Sequence, residues 1–392
     1  MPLPSSSLKP LLASIAAWIM TLDVGSNEIN SAIAKDSLNT SIFINGNLAR
    51  VLLASHRITG DATHLDEGLK WCDTLVSLQV PAKTHDGLAT GGWWNTGYDD
   101  LFIADTGTAV TTLGLCANLA TDTSRKAKYM EALTRWSTFV RRGVATTPKC
   151  TPILRKHKNC SFDGTPSKGE VTDSWVITSG AEAGGLGDGY YQQKINVLPY
   201  TISTALTGGV FFAEYYFLGL PTLPRQELDA VKGIAQGAVK WLLNKVQPDG
   251  TIPYVIDPPT TVPHQYQCIT YSAEAFVDAK LRWGGELVPA MVGGLNKTVE
   301  YLLKTQLPSG ALMNGTSGEI QRSPRAISLL QLWDQMSASA DPRVADAVTR
   351  YFAWLETPEG AAAATLRTTA LATGFIGLAA ADLIDEWSTF VR

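Results

Sequence analysis

Three aspartates crowd into the thirteen-residue run GYDDLFIADTGTA: Asp99, Asp100 and Asp105. Trp93, Trp94, Asn95 and Tyr98 stand just before or among them. A carboxyl group among Trp93, Trp94, Tyr98 and Phe102 is partly stripped of water, which raises its pKa and suits it to general acid catalysis. Asp100 is the first candidate for that role and Asp99 the second. Adjacent residues face different ways in most backbone conformations, so one reaches a pocket while the other holds the loop. Asp105 carries two readings. It precedes Thr-Gly-Thr-Ala and an apolar run, as a helix N-cap does. It is equally placed to serve as a pocket acid.

Other stretches repeat the mixture of rings and acids. DSWVITSGAEAGGLGDGYYQQK carries Trp175, Tyr190 and Tyr191 together with Asp188, and PHQYQ carries His264 and Tyr266. Exposed aromatic rings stack on the apolar face of a sugar, while acids and amides bond its hydroxyls. Arg325 and Arg367 begin the fifth and sixth apolar helices described next. Arginines at neighbouring helix N-termini would form a site for a substrate carboxylate.

These residues need a scaffold, and the repeat pattern supplies one. Trp18, Trp71, Trp136, Trp241, Tyr301 and Trp354 recur at equivalent places in six amphipathic helices. Each is followed by a second helix rich in Ala, Thr, Gly and Leu, roughly 39–57, 105–120, 199–218, 266–283, 323–338 and 365–385. Six outer and six inner helices in alternation predict an all-α, closed (α/α)6 toroid, with residues 1–392 as a single domain. Connections from inner to outer helices are short and polar, whereas those from outer to inner are long. The long loops therefore gather at one face, over the inner-helix N-termini, where function is expected.

With 45% apolar and 17% charged residues, the chain can bury a large core. A net charge of −4 gives no electrostatic reason to expect nucleic acid. The apolar run LLASIAAWIM is too short to span a bilayer, and Trp18 within it favours a retained helix over a signal peptide. Cys72, Cys116 and Cys268 read as small buried apolar residues, while Cys150 and Cys160 would pair in a secreted protein. Compartment stays open, leaning to the cytoplasm. No CxxC or HExxH spacing occurs, so neither a metal nor another cofactor is expected. The expected state is a monomer or small homo-oligomer, acting on a saccharide and not on a membrane.

The twelve-helix plan resembles the six-hairpin glycosidase superfamily over nearly the whole chain. Tyr98-Asp99-Asp100-Leu101-Phe102-Ile103-Ala104 is similar to a stretch of unsaturated glucuronyl and rhamnogalacturonyl hydrolases. That resemblance implies an acid/base Asp, by position Asp100 or else Asp99, hydrating the double bond of an unsaturated uronic sugar. The chain departs from that family in offering Asn45 and Asn47, and no acid, on the first inner helix. The same ring occurs in polysaccharide lyases, whose neutralising and basic groups would here come from Asn95, His264, Tyr266, Tyr98 and Tyr191. Class II terpene cyclases are a third possibility, with Asp105-Thr106-Gly107-Thr108-Ala109 as the nearest string to their motif. The leading expectation is acid/base hydrolysis or hydration of a uronate-containing glycan, with β-elimination second.

Overall fold

A computed structural model describes residues 5–22, 41–79, 91–93, 101–142, 148–149, 161–162, 175–191, 194–218, 223–256, 259–260, 265–312, 320 and 323–392. The outer helices are α1 (Ser5–Ile19), α3 (Ala62–Leu78), α5 (Thr123–Arg142), α8 (Arg225–Asn244), the second part of α9 (Gln265–Thr305) and α11 (Pro342–Leu355). The inner helices are α2 (Ser41–Thr59), α4 (Ile103–Leu119), α6 (Thr201–Ser203) continued by a π-turn and α7 (Val210–Leu218), the first part of α9, α10 (Pro324–Met336) and α13 (Ala370–Ile384). A short α12 (Pro358–Ala363) precedes α13. Successive inner helices touch one another, and α13 returns to contact α1 and α2, closing the ring. No described helix is long and apolar enough to cross a membrane.

Burial separates the two sets as the sequence pattern requires. On α11, Val344, Ala347, Val348, Tyr351, Phe352 and Leu355 form one buried stripe at helical spacing. Asp341 caps that helix through the Arg343 amide, and Pro342 starts it where a missing N–H costs nothing. By contrast, every residue of α13 from Ala370 to Asp382 is buried, as befits a helix with neighbours on all sides.

The hairpins share a closure beyond the aromatic markers. Gln79 donates to the carbonyls of Gly91 and Ala132, and Gln306 donates in the same way to Gly310 and Ala347. Each glutamine thus ties the turn after its own outer helix to the next outer helix. Gly250 and Gly310 have φ of 92° and 101°, and a Cβ on either would lie 2.1 Å from a carbonyl of that next helix. Only glycine fits there.

The centre of the ring is filled. Arg50 on the first inner helix and Glu274 on the fourth, diametrically opposed members, pair at 2.9 Å. Above them Phe43 and Tyr271, from the same two helices, meet edge to face at 5.7 Å between centroids.

Three expectations need correction. The short connection expected after the fourth inner helix is not a loop: α9 runs through residues 284–286 with one non-helical residue, Trp283, at the change of direction. Strands were not anticipated, yet β1 (Leu101–Phe102), β2 (Pro148–Lys149), β3 (Ser161–Phe162), β4 (Gly187–Tyr191), β5 (Lys194–Pro199), β6 (Val255–Ile256) and β7 (Pro259–Thr260) occur in the long connections. β1, β4 and β5 form one antiparallel sheet, in that order. Finally, Cys72 and Cys116 are buried as expected but joined in a disulfide between α3 and α4. Such a bond belongs to an oxidising compartment. It closes 44 residues of sequence separation, so its loss should cost about 4 kcal/mol by loop entropy. Denaturation midpoints of the wild type and Cys72→Ala/Cys116→Ala check this, and an unchanged midpoint would refute it.

Candidate active site

The sheet β1–β4–β5 lies over the N-terminal ends of the second and third inner helices, and its backbone irregularities converge on one side chain. Between Gly187 and Gly189 the β4–β5 register shifts, placing Asp188 in a bulge. Bulges re-aim side chains out of the normal alternation. Gly189 adopts φ of 153°, and a Cβ there would lie 2.1 Å from the Leu101 carbonyl of β1. Gly189 thus lets β4 press against β1, while Asp188 sits in the bulge, 8% exposed.

Asp105 stands close enough to feel that charge. It is not a cap: α4 begins at Ile103 with Phe102 as its N-cap residue, and Asp105 falls within the first turn. The residue keeps some exposure, yet its Oδ2 is shielded from solvent and has no hydrogen-bond partner. Burial pushes its carboxyl up to about 7, and the neighbouring Asp188 adds to the rise. A helix N-terminus pulls the opposite way, by about 0.3–1 kcal/mol, which is less than one pKa unit. Desolvation wins by a wide margin.

Two tyrosines complete the cluster. Tyr200 precedes the third inner helix, its N–H bonded to the Leu186 carbonyl at 2.9 Å. Its ring meets Tyr254 edge to face at 5.0 Å. Burial holds the Tyr200 hydroxyl protonated well beyond its ordinary range, and Tyr254 and Asp188 reinforce this. The helix that follows runs as a π-turn over Thr204–Gly209, a form that recurs at functional sites. It is pinned by Thr204 Oγ1 accepting from the Leu186 amide and Thr207 Oγ1 donating to the Ile103 carbonyl, each at 2.9 Å. The bulge, the π-turn and the first turn of α4 are therefore built against one another. Together they present a carboxyl whose pKa is raised, a second carboxyl group and two phenols at the inner-helix N-termini.

Of the residues singled out in the sequence, Asp105 and Asp188 are brought together. Trp93 and Trp175 are in the wall instead. Each is 1% exposed; Trp93 donates its indole N–H to the Leu75 carbonyl, and Trp175 packs on Phe139. A sugar cannot stack on rings that are spent sealing loops onto the ring of helices. Arg325 is fully buried between Glu274 and Asp382, at 2.6 Å from each, so its charge is already neutralised. Arg367 is exposed, has φ of 58°, and turns its guanidinium to Ser14 of α1. The expected arginine clamp is therefore not assembled: one member is inside the core and the other points to the outer layer. Tyr190 and Tyr191 lie on β4, with Tyr190 opposite Leu101 and Ile195, and Tyr266 lies in the first turn of α9. Trp94, Asn95, Tyr98, Asp99, Asp100 and His264 lie outside the described residues, as do Cys150 and Cys160. Sequence reasoning passed over Tyr200. Its only signal was its place, directly after Pro199 at the start of an inner helix.

The closed ring with its loops at one mouth has counterparts among solved structures. A cellobiose 2-epimerase from Spirochaeta thermophila superposes with TM-score 0.59 at 10% identity, covering 97% of this chain and 98% of that one. An unsaturated glucuronyl hydrolase specific for heparin gives 0.58 at 7% identity, with 98% of both chains covered. A GH76A alpha-1,6-mannanase from Salegentibacter sp. gives 0.57 at 10% identity, covering 96% and 100%. The chain has the six-hairpin glycosidase-like (α/α)6 fold. A polysaccharide lyase shares the six-hairpin arrangement. So does an inactive form of the mannanase, with two consecutive aspartates changed to asparagine and alpha-1,6-mannotriose bound. The six-hairpin structures compared are thus carbohydrate-processing proteins of several reaction types, and identities near 10% speak for the fold alone. No protein family and no curated protein matches the sequence.

Proposed function

We propose that this protein is a carbohydrate-active enzyme that hydrolyses a glycosidic bond with carboxyl groups at the six-hairpin mouth. The observation that carries this reading is the pair Asp105 and Asp188, one carboxyl kept protonated to about 7 beside another. Hydrolysis of a glycoside needs one carboxyl to protonate the leaving oxygen and an ionised one to activate water or stabilise the sugar cation. In this reading Asp105 gives its proton to the glycosidic oxygen. Asp188 is the ionised partner, and Tyr200 and Tyr254 bond sugar hydroxyls.

A second pair deserves the same test. Asp99 and Asp100 directly precede β1, which pairs with the strand of Asp188. They are consecutive aspartates, like the two whose replacement left the mannanase inactive, and Asp100 remains the alternative proton donor. The uronate specificity expected from sequence leaned on the resemblance of Tyr98–Ala104 to unsaturated glucuronyl hydrolases and on Arg325 and Arg367. With those two engaged elsewhere, two acids at the mouth suit a neutral sugar better than an anionic one.

A panel of neutral and uronic glycans separates these readings. Release of reducing ends without an ultraviolet change is the expected result, with activity falling as pH rises through about 7, where Asp105 loses its proton. New absorbance of a C4=C5 double bond would establish a lyase. Loss of that absorbance from unsaturated oligomers would establish the uronyl hydrolase, and no change on any glycan would refute sugar chemistry.

A further inference from the structure

The mouth described above is one end of the ring; the other end is closed by the segment that follows the last inner helix. Residues 387–391 are all buried. Arginines from two inner helices hold the segment by its carbonyls: Arg57 bonds those of Ser388 and Phe390, Arg50 that of Thr389, and Arg282 that of Val391. From the last inner helix, Asp382 accepts from the Thr389 amide and hydroxyl. The Phe390 ring lies 5.3 Å from the guanidinium carbons of Arg50 and Arg325.

Behind this segment two acids are unusually placed. Glu214 of the third inner helix is 1% exposed, and neither of its carboxyl oxygens has a hydrogen-bond partner. Asp278 of the fourth is fully buried, with Arg282 Nε 3.1 Å from its Oδ1 in a contact that lacks hydrogen-bond geometry. The charged groups facing the pair are Arg50 from the first inner helix and Glu274 and Arg282 from the fourth. From the second, Gly114 approaches Glu214 without a titratable group, and the Val391 side chain of the segment packs over the same glycine. Burial raises both carboxyls. Asp278 goes to about 7, against the pull of Arg282 and Arg50, and Glu214 rises well above its ordinary value with the charge of Asp278 adding to the effect.

We propose that segment 385–391 is a pH-gated plug: it seals the closed end of the ring while Glu214 and Asp278 hold protons, and their ionisation loosens it. The thermodynamics fix the direction. With the segment seated, both carboxyls are dry and their pKa values are raised; with it lifted, water reaches them and the values return toward about 4. A group whose pKa is raised in the seated state stabilises that state fully below its ordinary value. The advantage is lost as pH rises through the raised one. Ionised acids also compete for Arg282, which otherwise holds the Val391 carbonyl. The seated segment is thus favoured in acid and weakened above neutrality.

Hydrogen exchange reads this on the intact chain. The amides of Trp387, Ser388, Thr389 and Phe390 are all hydrogen-bonded in the seated state. Corrected for intrinsic rates, their protection should fall about 10-fold or more between pH 5.5 and pH 8. The outer helix α8 should keep its protection over the same range. Glu214→Gln and Asp278→Asn, which keep shape and remove charge, should each flatten the pH dependence while leaving the segment protected. Constant protection in the wild type would overturn the proposal. So would an undiminished pH dependence in both variants, or a parallel loss of protection in α8. If one variant fails to fold, the other and the wild-type comparison still decide.

Discussion

Asp105→Asn is expected to lower turnover by about 10² or more, the ordinary scale for losing a general acid, on whichever glycan the panel identifies. The same substitution should leave the protein as stable as before in acid and more stable above neutrality. The wild-type carboxyl is raised to about 7 by burial. Its protonated form stabilises the fold below about pH 4, and that contribution drains away as pH rises toward 7. An amide has no charge to bury. Loss of activity with a gain of stability at pH 8 marks a group held in an unfavourable environment for chemistry. Near-normal activity in Asp105→Asn, with activity abolished in Asp100→Asn, would move the proton donor to the upstream pair. Loss of both activity and stability would return Asp105 to a structural role.

Arg325→Ala should produce the largest loss of stability of any single change considered, about 3–5 kcal/mol, because it leaves the buried Asp382 without this ion pair and Glu274 with Arg50 alone. Glu274 and Asp382 each lie 2.6 Å from the guanidinium, and the Phe390 ring beside it would lose a packing partner. The denaturation midpoint measures this directly. A clamp for a substrate carboxylate predicts the reverse pattern, a higher KM in a protein of unchanged stability. That outcome would contradict the placement of Arg325 in the core.

The scaffold was legible because its signals are local and repeated. Trp71, Trp136 and Trp241 are buried on successive outer helices, as their matched surroundings foretold. The inner helices likewise announced themselves by being apolar on all sides. The site was harder to read because tertiary contacts decide it. GDG looks like an ordinary turn until β4 is seen pairing with both β1 and β5, which turns Asp188 into a bulge residue. Asp105 fitted a cap by sequence, yet α4 begins three residues earlier than a cap at that position requires. Trp93 and Trp175 were expected to meet substrate because they occupy long loops. Loops on a ring must also be sealed to it, and large rings do that well. Arg325 misled for a related reason: its partners Glu274 and Asp382 are 51 and 57 residues away, beyond any local pattern.

The central claim is that a carboxyl at the mouth keeps its proton near neutral pH because burial and a second acid hold it there. A titration of carbon-13-labelled aspartate by NMR, comparing the wild type with Asp105→Asn and Asp188→Asn, tests it without any substrate. The expected spectrum contains one aspartate signal titrating near 7 that disappears in Asp105→Asn and moves to lower pH in Asp188→Asn. If the signal lost in Asp105→Asn titrates near 4, the carboxyl is an ordinary solvated acid and the proposed proton donor is gone.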